Sequence, residues 1–481
     1  MSNSGNSGGN GNSVHVLVFP FPAQGHMLPL LDLTHQLALH SSLAITILVT
    51  PKNKTLLTPL LSKHPSIQTL ILPFPNHPSI PLGVENVKDL SAQAFVPMIC
   101  ALGQLYDPLL RWFQSHPSPP AAIISDFFLG WTNHLACHIG IPRIVFSPSG
   151  LATLSLSNSM WRDLPKIDDP NDPNFPISFP KVPNSPTFLW WQVSTVYRRY
   201  VEGHPDSEFI RDNFLANIAS WGIVFNSFFE LESVYFTHMR KDLGHHRVWA
   251  VGPLLPPGDD PTTERGGSSS VAAGDVISWL DRCRDNSVVY ICFGSQAVLT
   301  NKQMEAVAAG LEQSGSEFVW CIKEATTMQA AGEYGVIPSG FEERVGGRGL
   351  VIRGWAPQVL ILRHRAVGAF LTHCGWNSVL EALVAGVPML AWPMGADQFI
   401  NARLLVEEIG VAVKVCEGPE TVPNPTELAK SINESVGEER AERVQARATE
   451  LRKAALEATK GGGTSSNDLE GLVNYLCALQ F

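Results

Sequence analysis

Gly368-Ala369-Phe370-Leu371-Thr372-His373-Cys374-Gly375-Trp376-Asn377-Ser378 is the stretch whose reading decides the fold. It opens with apolar residues suited to a strand buried on both faces, then breaks at glycine and continues into helix-forming residues over 378–385. Strand, tight turn and helix in that order are the unit of an open parallel sheet, in which each helix starts above a strand's carboxyl end.

The same grammar runs outward in both directions. Upstream, 287–293 reads as a buried strand, followed by Gly294-Ser295 and a helix opened by Thr300 with Gln303 three residues on, as in a capping box. Further strands are expected at 318–322, 350–353, 369–372, 388–392 and 411–415, each followed by a helical segment. In the other half, 14–19 is a strand, 27–39 a helix, and 44–49, 121–125, 141–146 and 222–225 are further buried strands. Residues 252–274 are rich in Pro, Gly, Ser and Asp, as in a linker. The expected organisation is a disordered tail at 1–13, a first domain at 14–251, a linker at 252–274 and a second domain at 275–481. The fold class is α/β, with two doubly wound Rossmann-like domains facing across a cleft. The segment 164–186 carries seven prolines and is expected to be a long loop beside that cleft, or a surface excursion with no role.

Composition narrows the function. The 481 residues are 44% hydrophobic and only 16% charged, so a large core is affordable and global disorder is excluded. A formal charge of -10, from 34 Lys and Arg against 44 Asp and Glu, disfavours nucleic acid as a partner but not a small anion held by backbone amides. Eight scattered cysteines, with no CxxC pair, fit reduced thiols rather than a zinc site or a disulfide framework. The Gly/Asn/Ser tail lacks the charge and apolar core of a secretion signal, and no run approaches the about 18 apolar residues of a membrane span. A cytoplasmic monomer is the expectation, with Asn53-Lys54-Thr55 and Asn433-Glu434-Ser435 as chance matches to the glycosylation pattern.

Several residues carry candidate chemistry. The loop Pro20-Phe21-Pro22-Ala23-Gln24-Gly25-His26 after the first strand holds no GxGxxG, and the chain has no Walker A pattern, which removes the dinucleotide oxidoreductase reading. His26 there is either a general base or a structural imidazole. Asp126, ending the run 121–125, either orients such an imidazole or caps a helix. His373, Asn377 and Ser378, beside a helix N-terminus, suit a diphosphate held without metal. Glu381, on the first turn of that helix, either accepts a ribose diol or stabilises the helix dipole. Trp355 either stacks on a planar base or fills core. Asp397 and Gln398 either read sugar hydroxyls or cap a helix.

Taken together, Trp355-Ala356-Pro357-Gln358, His373 to Ser378, Leu380-Glu381, Gly386-Val387-Pro388, Trp392-Pro393 and Asp397-Gln398 closely resemble the signature box of plant UDP-dependent glycosyltransferases. Gln24-Gly25-His26 and Asp126 resemble the family's catalytic pair. The resemblance implies a GT-B fold, an acceptor-binding first domain, a donor-binding second domain and a terminal helix that crosses back. It implies that Trp355 stacks on uracil near Ala356 and Gln358, and that Glu381 takes the ribose hydroxyls. Ser295, His373, Asn377 and Ser378 would hold the diphosphate, with Gly375 admitting the backbone. Trp376 and Gln398 accompany glucose in the family, so UDP-glucose is the expected donor, read with Asp397. The implied reaction is inverting O-glucosylation with His26 as base and Asp126 as its support, without metal or other cofactor, since no Asp-x-Asp pattern occurs. Phe21, Phe127, Phe128, Trp131, Trp190 and Trp191 are candidates for binding a flat phenolic or flavonoid acceptor. A benzoate or terpenoid acceptor, another UDP-sugar, and a non-catalytic UDP-sugar sensor are the alternatives, the last not needing His26 or Asp126.

Overall fold

The structure is a computed structural model that describes residues 13–90, 94–169, 172–255, 270–323, 334–436 and 438–479, with the side chains of 438–441 left aside. The tail at 1–12 and most of the linker, 256–269, lie outside those residues. Fifteen strands are named here in chain order. They are β1 (Val14–Phe19), β2 (Leu43–Val49), β3 (Gln68–Ile71), β4 (Ala122–Asp126), β5 (Arg143–Ser147), β6 (Pro176–Ser178), β7 (Thr187–Leu189), β8 (Gly222–Phe225), β9 (Val248–Ala250), β10 (Val288–Cys292), β11 (Glu317–Ile322), β12 (Gly349–Arg353), β13 (Val367–Thr372), β14 (Met389–Ala391) and β15 (Ala412–Lys414).

Thirteen of them form two parallel sheets, ordered β3-β2-β1-β4-β5-β8-β9 and β12-β11-β10-β13-β14-β15. Each order reverses once, between β1 and β4 and between β10 and β13. At such a switch point the loops leaving adjacent strands diverge to opposite faces and leave a crevice. Register places Phe19 beside Ser125 and Cys292 beside Thr372, so the loops that follow these strands start side by side.

Strand after strand is buried on both faces because helices cover both, which is why these segments read as apolar runs rather than alternations. The polar exception in β1, His15, is satisfied by the carbonyl of Ser118 at 2.7 Å and the hydroxyl of Thr46 at 2.8 Å. Burial holds its ring below the usual imidazole range, so it fills core as a neutral group. Thr300 and Gln303 do form a capping box on the Asn301–Ser314 helix.

The differences from the sequence reading have local causes. β3 is exposed and short, and β9 has three residues, so neither carries a long apolar run. Within 164–186, β6 pairs antiparallel with β7, because Ile177, Phe179, Val182 and Phe188 bury themselves between the prolines. The segment is therefore partly an ordered hairpin. The helix expected at 378–385 is Trp376–Ala385, capped by Gly375, and the one expected at 27–39 is Gln24–Ala38. The first residues of the expected linker are packed, with Gly252 accepting from the Ser465 hydroxyl at 2.6 Å and Leu254 buried.

The last helix, Thr464–Cys477, packs on the first sheet rather than the second. Asp468 accepts from the Ala250 amide at 2.7 Å, and Tyr475 meets Trp221 and Trp249 edge-on. Leu472 and Leu476 are fully buried in the cluster that holds Val16, Ile45 and Ile144. Leu472→Ala or Leu476→Ala should each cost about 2–5 kcal/mol in urea unfolding. Losses below about 1 kcal/mol would mean that the helix is not anchored there.

Candidate functional site

His26 and Asp126, 100 residues apart, meet at the first switch point. Their side chains bond at 2.9 Å between Nδ1 and Oδ2. A carboxylate only accepts, so Nδ1 carries the proton and Nε2 is left as the ring's acceptor. Asp126 is fully buried, and its other oxygen accepts from the Phe128 amide at 2.9 Å. The two readings of Asp126 are thus both realised: one oxygen caps the short turn 127–129, while the other orients His26.

Around this imidazole lie Phe21 at 5.5 Å, Phe127 at 5.5 Å and Phe128 at 4.9 Å between ring centroids. Phe95 packs on Phe21 and Phe128, and Phe214 on Phe127 and Phe128, extending an aromatic wall to Trp161. A cavity of about 250 Å³ lies beyond it, lined by Val96, Trp161, Val196 and Tyr200 among others. Of the acceptor candidates, Trp131 packs elsewhere: it is 2% exposed, and its ring partners are Phe19 and Tyr106, inside the core. Trp190 meets Tyr197 and Trp191 meets Phe399, both partly buried on the segment that leaves the hairpin.

At the second switch point His373 is wedged between two glycines. A Cβ on Gly294 or on Gly375 would lie 2.5 Å from its Nε2, so only glycine fits at either place. Gly294 also needs its positive φ of 74°, whereas Gly375 needs only the missing side chain. The His373 Nδ1 is buried with no partner among the described residues, an orphan polar atom beside a helix N-terminus. Burial lowers the ring's pKa to about 4, so it is neutral. Cys374 takes a left-handed φ of 63° to make this turn, and its carbonyl accepts from Asn401 at 2.9 Å.

Gln358 ties the neighbouring residues together. Its amide nitrogen donates to Ser378 at 3.0 Å and to Glu381 at 2.7 Å, and its oxygen accepts from Tyr290 at 3.2 Å. Glu381 is the sixth residue of its helix, so it sits on the second turn, and helix-dipole stabilisation in the first turn is not its part. Trp355 is partly buried and Ala356 buried just before that glutamine, while Ser295 is partly buried after Gly294. Gln398 is held by the amides of Met394 at 2.9 Å and Gly395 at 3.0 Å, both donating to its side-chain oxygen.

Contacts between the two halves run through the same loops. Asn377 donates to the Gly25 carbonyl at 3.0 Å, one residue before His26. Asp397 accepts from Ser149 at 2.9 Å and from Asn401 at 3.0 Å. The Trp376 indole is 3% exposed and donates to the Asn226 carbonyl at 2.7 Å, pinning the two halves. Asn184, within 164–186, donates to Glu408 at 2.9 Å, and Gln192, just beyond it, donates to Glu417 at 2.8 Å. Ser149 and Asn401 were not singled out in the sequence. Ser149 follows β5, and the strand-end rule that selected Asp126 would have selected it.

Among the described residues no group of three or more His, Cys, Asp or Glu is placed to hold a metal ion, and no helix is long and apolar enough to cross a membrane.

Comparison with known proteins agrees with this arrangement. A family model described as UDP-glucoronosyl and UDP-glucosyl transferase matches residues 273–431. UDP-glycosyltransferase 89B2 of Stevia rebaudiana is 60% identical over 96% of this chain and 97% of its own length. A flavonol 3-O-glucosyltransferase of Arabidopsis thaliana is 56% identical over 97% and 96% respectively. The crystal structure of Arabidopsis thaliana UGT89C1 complexed with UDP-L-rhamnose superposes with a TM-score of 0.80 at 41% identity, covering 97% of this chain and 99% of that one. The fold is that GT-B arrangement.

The neutral state of His373 has a measurable consequence. Between pH 6.5 and about 4 the unfolded chain protonates this histidine while the folded chain does not, so the fold loses stability as pH falls through that window. The slope from one such group is at most about 1.4 kcal/mol per pH unit. His373→Asn should flatten the parent's decline over that window in thermal melts. Parallel curves for the two proteins would show that the ring titrates normally.

Proposed function

From the premise that the chain belongs to the UDP-glucoronosyl and UDP-glucosyl transferase family, and is a UDP-glycosyltransferase, we propose that it inverts the anomeric carbon of UDP-glucose while moving glucose onto a flavonoid or related phenol. The observation that carries this reading is the 2.9 Å contact between His26 and Asp126, set among Phe21, Phe127 and Phe128. The Nε2 of His26 takes the proton from the acceptor hydroxyl as its oxygen attacks the anomeric carbon opposite UDP. Asp126 fixes the tautomer and stabilises the imidazolium that forms. An aromatic wall beside a base favours a flat apolar acceptor, consistent with the flavonol named for the Arabidopsis relative.

On the donor side, negative charge grows on the departing diphosphate. Free amides at the start of the Trp376–Ala385 helix, the unpartnered Nδ1 of His373, Ser295, Asn377 and Ser378 are suited to receive it. Trp355 and Ala356 would flank the uracil, and Glu381, already turned towards Gln358, would accept the ribose hydroxyls. Asp397 and Gln398 would read the sugar. Glucose is favoured by Gln398, whose oxygen is fixed by two backbone amides, which leaves the two N–H groups of its amide nitrogen to donate. A second reading, transfer of rhamnose, is favoured by the UDP-L-rhamnose complex of the 41% identical relative.

His26→Ala should lower kcat about 100- to 10,000-fold while leaving UDP affinity within about 2-fold, read by mass-spectrometric assay and calorimetry. Near-parental turnover would remove His26 as the base. Gln398→His would strand the Met394 and Gly395 amides, so kcat/KM for UDP-glucose should fall about 10-fold with UDP binding retained. An unchanged preference among UDP-glucose, UDP-galactose and UDP-rhamnose would exclude this residue from sugar selection. Because charge stabilisation is assigned to protein groups, EDTA should leave the rate unaltered. Full loss restored by magnesium or manganese would overturn that assignment.

A further inference from the structure

Directly behind the dyad lies a buried cation that the mechanism does not use. Arg143 opens β5, beside β4, and is 1% exposed. Its guanidinium donates to the Asp126 carbonyl at 3.0 Å, to Ser125 at 2.9 Å, to Asn217 at 2.6 Å and to Ser220 at 3.0 Å. All four partners are neutral oxygens. A buried charge is retained only where an opposite charge compensates it. Among the described residues, Asp126, fully buried itself, is the charged group that acts on this guanidinium. The flanking side chains are Ser125 from the strand, Asn217 from the Pro205–Ile218 helix and Ser220 just past that helix, none of which titrates in the working range.

We propose that Arg143 is a positioning residue of the glycosyl transfer, fixing the Asp126 backbone through one arm of its fork and keeping the Asp126 carboxylate ionised, so that His26 holds one tautomer. This rests on the assignment of His26 and Asp126 as the catalytic dyad. Without the cation, a carboxylate shielded from water would favour its protonated form, and a protonated carboxyl could not stabilise the imidazolium. Burial also draws the guanidinium down, to about 9, an effect that Asp126 opposes, as expected if each charge sustains the other.

The acidic limb of the pH profile follows with a definite sign. Removing the cation costs the buried Asp126 charge its stabilising partner, and any charge that remains there acts on His26 unopposed and favours the imidazolium. Both effects move the loss of the free base to higher pH. The other groups around His26, namely Phe21, Phe127 and Phe128, do not titrate.

The test is a double-mutant cycle with Arg143→Met, Asp126→Asn and the pair, plus Arg143→Lys, each assayed for kcat, UDP affinity, thermal stability and the pH profile of kcat/KM. We expect Arg143→Met to lower kcat about 10- to 100-fold with UDP affinity within about 2-fold, and to move the acidic limb to higher pH. Arg143→Lys should recover most of the turnover and return the limb, because it keeps the charge. In the Asp126→Asn background, Arg143→Met should cost little more. Losses that multiply in the pair, or an unmoved limb in a folded Arg143→Met protein, would overturn the inference while leaving the dyad intact. Parental activity of Asp126→Asn would instead remove the dyad itself. If Arg143→Met does not fold but the pair does, the two charges are coupled as proposed. If neither folds, Arg143 supports the scaffold independently of Asp126, and the inference fails.

Discussion

Every functional side chain hangs from the reversal of strand order within each sheet. Because β1 lies beside β4, and β10 beside β13, loops far apart in the chain leave the sheets side by side and open a crevice. His26 reaches Asp126 across 100 residues for this reason, and His373 comes to rest against Gly294 for the same one. The two crevices then meet. Asn377 of the second half bonds Gly25 of the first, and Asp397 bonds Ser149, so the proposed base and the proposed diphosphate ligands share a wall.

Burial sets the electrostatics on both sides of that wall. Asp126 is removed from water, yet it is held by an imidazole, a backbone amide and the field of Arg143, which together make an ionised carboxylate tenable. The Nδ1 of His373 has no such partner among the described residues, and burial keeps the ring neutral. Glu232 is a third case. Burial pushes its carboxyl up, while the amides of Leu151 and Ala152 and the Ser227 hydroxyl draw it back down. It lies against Gly150, where a Cβ would strike both this carboxylate and the Trp376 indole, so the junction tolerates no larger residue there.

The parts of the fold legible in the sequence were those where one physical demand dominates. Strands covered on both faces read as apolar runs, and the Thr300 box reads as a helix start because two orphan groups need two side chains. β3 was missed because a short, half-exposed edge strand leaves no signal above a loop, and β9 because its three buried residues are too few to make a run. The hairpin of β6 and β7 hid behind its prolines, although Ile177 and Phe188 anchor it. Trp131 and Trp376 illustrate a different limit. An aromatic residue near a strand end looks the same in sequence whether it faces the crevice, the core or a neighbouring domain.

By itself the sequence determined the α/β class, the two-sheet arrangement, and the short list of His26, Asp126, His373 and their neighbours. Those follow from local periodicity, from strand-end placement and from a 44-residue pattern that lies within one stretch of chain. Only the tertiary structure decided that Asp126 serves His26 and a turn at once, that Arg143 stands behind it, that Trp376 pins two halves together, and that His373 keeps an orphan nitrogen. These are properties of distance and burial between segments 17 to 150 residues apart, and a linear pattern does not encode which side chains are left without water.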